Sequence, residues 1–301
     1  MRSQPYRWLL VAGTLLLSAC STLSFGIANL PARFARSHRD ADVRFGPQDW
    51  QKLDIYRPAH PPGAAPVIVF WYGGSWTQGD KEDYRFVGAA LAGLGYVVVL
   101  PEYRLYPQVR FPQFLDDAAE AVAWVERHAA DYGGDPHRIV LMGHSAGAHM
   151  AAMLAMNDTY LRRAGADPAD ISGLIGLSGP YQLTPNDATL NAIFTAPYTP
   201  HDWQVLPFVS ARAPPTLLIH GAADKVVWPR NSERLAAALA AAGVPVVLRI
   251  YPGRAHAATV AALTWVLRWR SPTLADIGKF MQTLPGSRAV PPPGLAGTAG
   301  N

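Results

Sequence analysis

Two hydrophobic periods alternate along the chain from about residue 49 onward. Residues 67–72 (VIVFWY) and 96–100 (YVVVL) are unbroken apolar runs rich in β-branched and aromatic side chains. They are too short for core helices and lack polar alternation, the pattern of strands covered on both faces. Residues 52–56 alternate apolar and polar as a half-buried strand, and shorter apolar segments at 138–142, 173–177, 216–220 and 246–251 predict further strands. Between them lie stretches with helical spacing at 83–94, 111–132, 146–156, 230–242 and 257–269; the second of these ends at Gly133-Gly134. Strand and helix in repeated turn predict one α/β domain over residues 49–285, a mostly parallel central sheet flanked by helices.

Four stretches fall outside that rhythm. Residues 60–66 form a Pro/Gly/Ala loop, and residues 180–215 have no long period but many Pro, Thr, Asn and aromatic residues, as expected of a small lid insertion over the carboxyl edge of the sheet. Residues 286–301 hold few large apolar groups and cannot offset the entropy of ordering, which predicts a disordered tail. The first 19 residues read as an export signal. Arg2 and Arg7 precede an apolar run at residues 8–17 that, at ~1.5 Å rise per residue, falls well short of a bilayer core of ~30 Å. The segment closes on Leu17-Ser18-Ala19-Cys20, which resembles the lipobox of bacterial lipoproteins. The resemblance implies that Cys20 is acylated, that residues 20–48 tether the domain to a lipid bilayer, and, because Ser21 follows, that the protein sits on the outer membrane facing the periplasm of a bacterial envelope. An ordinary secretory signal with a coincident cysteine is the alternative.

Composition narrows the function classes. Half of the 301 residues are hydrophobic and 16% are charged, which excludes a disordered chain. A single cysteine excludes an intrachain disulfide and a thiolate-based metal site. The net charge of +4 includes Arg2 and Arg7; without them 24 basic residues face 22 acidic ones. The basic residues are scattered with no aromatic-interleaved stripe, so no nucleic-acid partner is expected. No phosphate-binding loop or dinucleotide fingerprint is present, and neither cofactor nor metal is expected. Oligomeric state leaves no mark on the sequence.

The chemistry concentrates at strand ends. Gly143-His144-Ser145-Ala146-Gly147 sits where the strand at 138–142 turns into the helix from Ala146. Small residues around Ser145 permit the strained turn that lifts a serine hydroxyl clear of a sheet. Such a hydroxyl needs a base, and the base a carboxylate to orient it. Asp224 follows the strand at 216–220 and His256 follows the strand at 246–251, giving the order Ser145, Asp224, His256. Among nine histidines only His256 follows both nucleophile and acid on a loop after a strand; His201 is the next candidate, and Asp202 and Glu233 are weaker acids, one in the lid and one on a helix surface. His220, at a strand end, reads as a packed or backbone-bonding histidine. After the strand at 67–72, Gly73-Gly74-Ser75-Trp76 lets backbone approach a ligand, so the amides of Gly74, Ser75 and Ala146 are the candidate oxyanion donors. Trp76, Tyr181 and Trp228 are candidate pocket aromatics, with a core role for each the competing reading. Arg104 is expected to make an internal ion pair, and Asp116, Asp117 and Glu120 to form a solvated acidic helix face or to supply charge at a helix N-terminus rather than a metal site.

These segments, with Leu53-Asp54-Ile55-Tyr56-Arg57-Pro58, Pro101-Glu102-Tyr103-Arg104-Leu105 and the stretch from His220-Gly221 through Asp224 to Ser232, resemble the α/β-hydrolase superfamily. The resemblance is to its carboxylesterase branch with an HGG-type oxyanion loop, which includes feruloyl-esterase-like and kynurenine-formamidase-like enzymes. It implies the α/β-hydrolase fold, the same three catalytic positions, and a serine hydrolase of small esters working through an acyl-serine intermediate. The same machinery on an amide of the arylformamide kind, and a non-catalytic envelope lipoprotein on a hydrolase fold, are the alternatives. Two positions depart from the branch: Tyr72 stands where histidine precedes the glycines, and Trp228 stands where proline is frequent.

Overall fold

Apolar runs without alternation end up where both faces of a sheet are covered. The computed structural model describes residues 37–59 and 63–286, together with Gly26, Ala28 and Asn29. Its eight strands are β1 (Ser37–Arg44), β2 (Lys52–Pro58), β3 (Ala65–Trp71), β4 (Val97–Pro101), β5 (Gly134–His144), β6 (Ile171–Leu177), β7 (Thr216–Gly221) and β8 (Val246–Tyr251). They form one sheet in the order β1-β2-β4-β3-β5-β6-β7-β8. β2 runs antiparallel to β1 and β4, and every other neighbouring pair is parallel. The flanking helices are α1 (Arg85–Ala92), α2 (Gln113–His128), α3 (Ala146–Met156), α4 (Thr159–Ala164), α5 (Ala188–Ile193), α6 (Pro200–Trp203), α7 (Arg230–Ala241), α8 (Ala258–Ala261) and α9 (Thr273–Thr283). All five residues of β4 are buried, as are ten of the eleven in α3, so the sheet centre and this helix form the inner core.

The strand order creates the place where chemistry can occur. The chain leaves β3 for β4 on one side and returns as β5 on the other, so the loops after β3 and β5 part above a crevice at their carboxyl ends. Trp71 pairs with Gly143 at the last register position before that crevice. The loop at residues 72–76 and the turn at Ser145 are therefore neighbours, although about seventy positions separate them in sequence.

Several expectations need correction. β1 lies inside the stretch read as a tether: SHRDADVR carries no apolar alternation, because this edge strand is held by ion pairs in place of a buried face. The helix expected at 257–269 breaks after α8, since the Thr264 hydroxyl accepts the Leu267 amide and restarts the chain as a 3-10 segment, Trp265–Arg270. Trp265 and Trp269, within the stretch of helical spacing, are 71% and 81% exposed. α9 was not foreseen; it buries Leu274, Ile277, Phe280 and Met281. Asp117 is not on a solvated face. It is 1% exposed and takes the Arg104 guanidinium at 3.0 Å, which is the internal pair expected of Arg104, while Asp116 pairs with Arg163 at 2.8 Å. The signal segment, Cys20 and residues 287–301 lie outside the described residues.

A charged cluster fixes β1 to the body. Asp54 on β2 is fully buried and accepts from Arg39 of β1 at 2.7 Å. Lys81, 3% exposed, stands 3.1 Å from Asp54, 2.9 Å from Asp42 and 3.0 Å from Glu82. The oxygens of these three carboxylates gather within 4.8 Å, the spacing of a cation site, and the lysine ammonium already occupies its centre. Burial disfavours the charged amine, but hydrogen bonds and attraction from Asp42 and Asp54 outweigh it and raise its pKa. Replacing Lys81 by methionine should leave a buried carboxylate cluster under-neutralised and lower the unfolding free energy by about 3 kcal/mol; urea denaturation of the two proteins measures it.

Candidate active site

The turn from β5 into α3 holds Ser145, the expected nucleophile, in an unusual backbone state. Ser145 has φ 55° and ψ −119°, a conformation that costs an L-residue about 1–3 kcal/mol. The surrounding glycines allow it. A Cβ on Gly143 would meet the Gly147 carbonyl at 2.2 Å, and one on Gly147 would meet the Trp71 carbonyl oxygen at 2.1 Å. Strand, helix and neighbouring strand thus approach closely enough that only glycine fits on either side of the serine, and the Ser145 amide is tied to the Leu177 carbonyl at 2.9 Å.

The structure brings the three expected side chains together. His256 Nε2 lies 2.9 Å from Ser145 Oγ, and His256 Nδ1 lies 2.7 Å from Asp224 Oδ2. A carboxylate only accepts, so Nδ1 carries the ring proton and Nε2 is left to accept from the serine hydroxyl. The other oxygen of Asp224 accepts the amides of Val226 and Val227, both at 2.9 Å. Burial alone would raise the pKa of Asp224; hydrogen bonds from His220, His256 and the Val227 amide outweigh it and hold the carboxyl well below the usual carboxylate range. His201, Asp202 and Glu233 are elsewhere. His201 packs edge-on against Phe208, Asp202 caps Thr199, and Glu233 is exposed on α7.

Three further histidines support this arrangement in ways the sequence did not disclose. His220 donates from Nε2 to the Val227 carbonyl at 2.8 Å, which is the backbone bond expected of it, but the same nitrogen is also 3.2 Å from Asp224 Oδ2. Its Nδ1 pairs with Ser232 at 2.7 Å. His144 reaches the His256 carbonyl at 3.3 Å, and burial pushes its pKa down to about 3, so it stays neutral and props the His256 loop from beneath. His149 donates to the Trp203 carbonyl at 2.6 Å, fastening the excursion that contains α5 and α6 onto α3; burial lowers its pKa to about 4. The position of a histidine beside the nucleophile and the His-Gly pair before Asp224 were the only sequence signals for the first two.

Above the serine lies a cavity of about 520 Å³, bounded by Ser75, Trp76, Ser145 and Ala146 below and by the excursion and the loop after β7 around it. Ser75 has φ 53°, Trp76 φ 58° and Gly74 φ 136°, so consecutive peptide units turn inward. Of the three expected oxyanion donors, Ser75 and Ala146 line the cavity, and among the described residues no backbone carbonyl takes either amide. Gly74 shapes the turn: its carbonyl accepts from Thr77 and Gln78, and a Cβ there would lie 1.9 Å from the Gln78 oxygen. Among the aromatics, Trp76 and Trp228 line the cavity, the first 2% and the second 55% exposed. Tyr181 does not. It is fully buried, its ring set against Gly176 and Gly179, because Pro180 and Gln182 face the cavity and the residue between them faces the core.

The BD-FAE family model matches residues 53–239, more than half of the chain. The chain belongs to the BD-FAE family. It is 31% identical to the isoprenylcysteine alpha-carbonyl methylesterase ICME of Arabidopsis thaliana over 71% of this chain and 55% of that protein, so it spans about half the length of that plant relative. It is 31% identical to esterase LipQ of Mycobacterium tuberculosis over 89% of this chain and 70% of that one. A thermophilic esterase of the planctomycete Thermogutta terrifontis superposes with a TM-score of 0.67 at 26% identity, covering 82% of this chain and 91% of that one.

In this BD-FAE chain the tyrosine that replaces the expected histidine has its own means of holding the loop after β3. Tyr72, 1% exposed, donates to Glu102 Oε2 at 2.6 Å and stacks on Tyr103 at 4.6 Å, while Glu102 Oε1 accepts the Lys81 amide at 3.1 Å. The Tyr103 hydroxyl donates to the Tyr72 carbonyl at 3.1 Å. Burial pushes the Glu102 carboxyl up to about 7 against the hydrogen bond from Tyr72. The folded state therefore keeps a proton that the unfolded chain has already lost above its ordinary value of 4.5, so this group makes stability fall as pH rises from 4.5 to about 7. Glu102→Gln should flatten that decline, and urea midpoints measured from pH 5 to 8 for both proteins check it.

Proposed function

We propose that the protein is a serine hydrolase of small carboxylic esters. The observation that carries this reading is the continuous hydrogen-bonded relay from Ser145 through His256 to a buried, ionised Asp224 at the floor of a cavity that also presents the Ser75 and Ala146 amides. Ser145 Oγ attacks the ester carbonyl carbon while His256 Nε2 takes the hydroxyl proton, and the oxygen of the tetrahedral intermediate is held by the Ser75 and Ala146 N–H groups. Asp224 keeps the imidazole in its tautomer and stabilises the cation. The proton then passes to the departing alcohol and leaves Ser145 acylated. Water, deprotonated by His256, attacks the acyl carbon, and return of the proton to Ser145 releases the acid.

The similarity to esterases supports an ester over an amide, and the cavity volume supports a small acyl group. The T. terrifontis esterase is known with butyrate and with propionate bound, which suits a short chain. Hydrolysis of 4-nitrophenyl esters from acetate to palmitate should peak at short chains, and Ser145→Ala should lower kcat on the order of 10⁴-fold or more. Full turnover by the variant would end this reading.

We infer further that the domain is anchored on a bacterial outer membrane, facing the periplasm, through acyl chains on Cys20. The support is the apolar run at residues 8–17 closing on Leu17-Ser18-Ala19-Cys20. Among the described residues no helix is long and apolar enough to cross a membrane. The full chain expressed in a bacterium should partition into the detergent phase of Triton X-114, and Cys20→Ala should move it to the aqueous phase.

A further inference from the structure

The cavity over Ser145 carries a charge pattern that hydrolysis of a neutral ester does not require. Among the described residues three basic ones line it, Lys225, Arg230 and Arg234, and no aspartate or glutamate does. Among the described residues, none of the three has a carboxylate within ion-pair distance, whereas Arg39, Arg57, Arg104, Arg138 and Arg163 each have one. Asp224, next to Lys225, is buried and committed to His256, His220 and two amides; Glu233, beside Arg234 and three positions from Arg230 on α7, is exposed, does not line the cavity and is not within ion-pair distance of either arginine.

The three cations are placed by the fold. Lys225 follows directly on Asp224, so the loop that delivers the acid to His256 also delivers this ammonium to the cavity wall. Arg230 and Arg234 are four positions apart on α7 and share one face of that helix. Arg234 donates to the side-chain oxygen of Gln182 in the excursion, and the Gln182 amide in turn donates to Asn231 at 2.9 Å. The Arg230 guanidinium stands 5.9 Å from the ring centre of Trp228. Arg234 is thus held across the cavity, and Arg230 is set beside an aromatic surface at its rim.

Uncompensated like charges around one opening repel each other. They focus a positive potential into the space that a substrate enters, and they are neutralised when an anion takes its place there. We propose that Lys225, Arg230 and Arg234 form an anion subsite of the active site, and that the preferred ester carries a carboxylate or another acidic group beside the scissile bond. This rests on the ester-hydrolase reading and adds a substrate class to it. Guanidinium groups bind carboxylates in paired geometry, which suits an acidic substituent over a merely polar one.

The test compares matched ester pairs on the mature protein. With the charge on the acyl side, the 4-nitrophenyl half-ester of adipic acid is set against 4-nitrophenyl hexanoate; with the charge on the alcohol side, 4-acetoxybenzoate is set against its methyl ester. At low salt the anionic member of at least one pair should have the higher kcat/KM, by about tenfold, and the ratio should shrink toward one as sodium chloride rises to 0.5 M. The pair that responds tells whether the acyl or the leaving group faces the cations. Arg230→Glu with Arg234→Glu should lower the anionic-to-neutral ratio at least tenfold; Lys225→Gln with Arg230→Gln should lower it less, and guards against misfolding of the reversed-charge protein. Neutral esters hydrolysed with no anionic preference on either side, and no salt dependence, would overturn the subsite and leave the esterase reading standing. Turnover of none of the four compounds by folded protein would overturn both.

Discussion

The close contact between β5, α3 and β3 is the constraint on which the rest of the molecule depends. The space for a Cβ at Gly143 is filled by the Gly147 backbone, and that at Gly147 by the carbonyl of Trp71. That contact forces Ser145 into the left-handed region, raises its hydroxyl over the sheet and leaves the first amide of α3 open beside it. It also fixes how far the loop after β3 stands from Ser145, since Trp71 is at once the last residue of that strand and the wall against which the helix rests. Strain at one serine is offset by the burial of α3, which is apolar on nearly every side.

Around that turn the protein treats charge in two ways. Inside, each buried ion has partners: Asp224 is surrounded by two imidazoles and two amides, Asp117 by Arg104, and Asp54 by Arg39 and Lys81. Buried histidines that could have competed for a proton are kept neutral by the same desolvation that the carboxylates overcome. At the mouth the pattern reverses, and among the described residues Lys225, Arg230 and Arg234 have no carboxylate within ion-pair distance. A protein that neutralises its interior carefully and leaves its opening positive has a field directed at what enters.

How much of this was legible in the sequence follows from which forces leave a local pattern. Doubly covered strands do, so β3 and β4 were found to within a residue or two, and the order Ser145, Asp224, His256 was readable because strand ends mark loops. Edge strands stapled by ion pairs leave none, and β1 was missed. Trp265 and Trp269 carried a helical period without the burial it usually signals, since one threonine hydroxyl interrupts the helix before them. Tyr181 shows the limit within a site: a residue between two cavity-lining neighbours points the other way, and only the position of Gly176 and Gly179 settles that. The supporting bonds of His144 and His220 join segments far apart in sequence, and no local spacing encodes them.

The excursion between β6 and β7 has a consequence for how such a protein can change over generations. It supplies Gln182, Leu183, Thr184, Asn186, Leu190 and Gln204 to the cavity wall and contributes no member of the proton relay. It is attached to the body through the Trp203 carbonyl and His149, the Ile193 carbonyl and the Phe111 amide, and Gln182 with Asn231 and Arg234, so cavity-facing positions other than Gln182 can be randomised while the turn at Ser145 is untouched. This part of the cavity wall and the relay of Ser145, His256 and Asp224 are thereby inherited on separate stretches of chain.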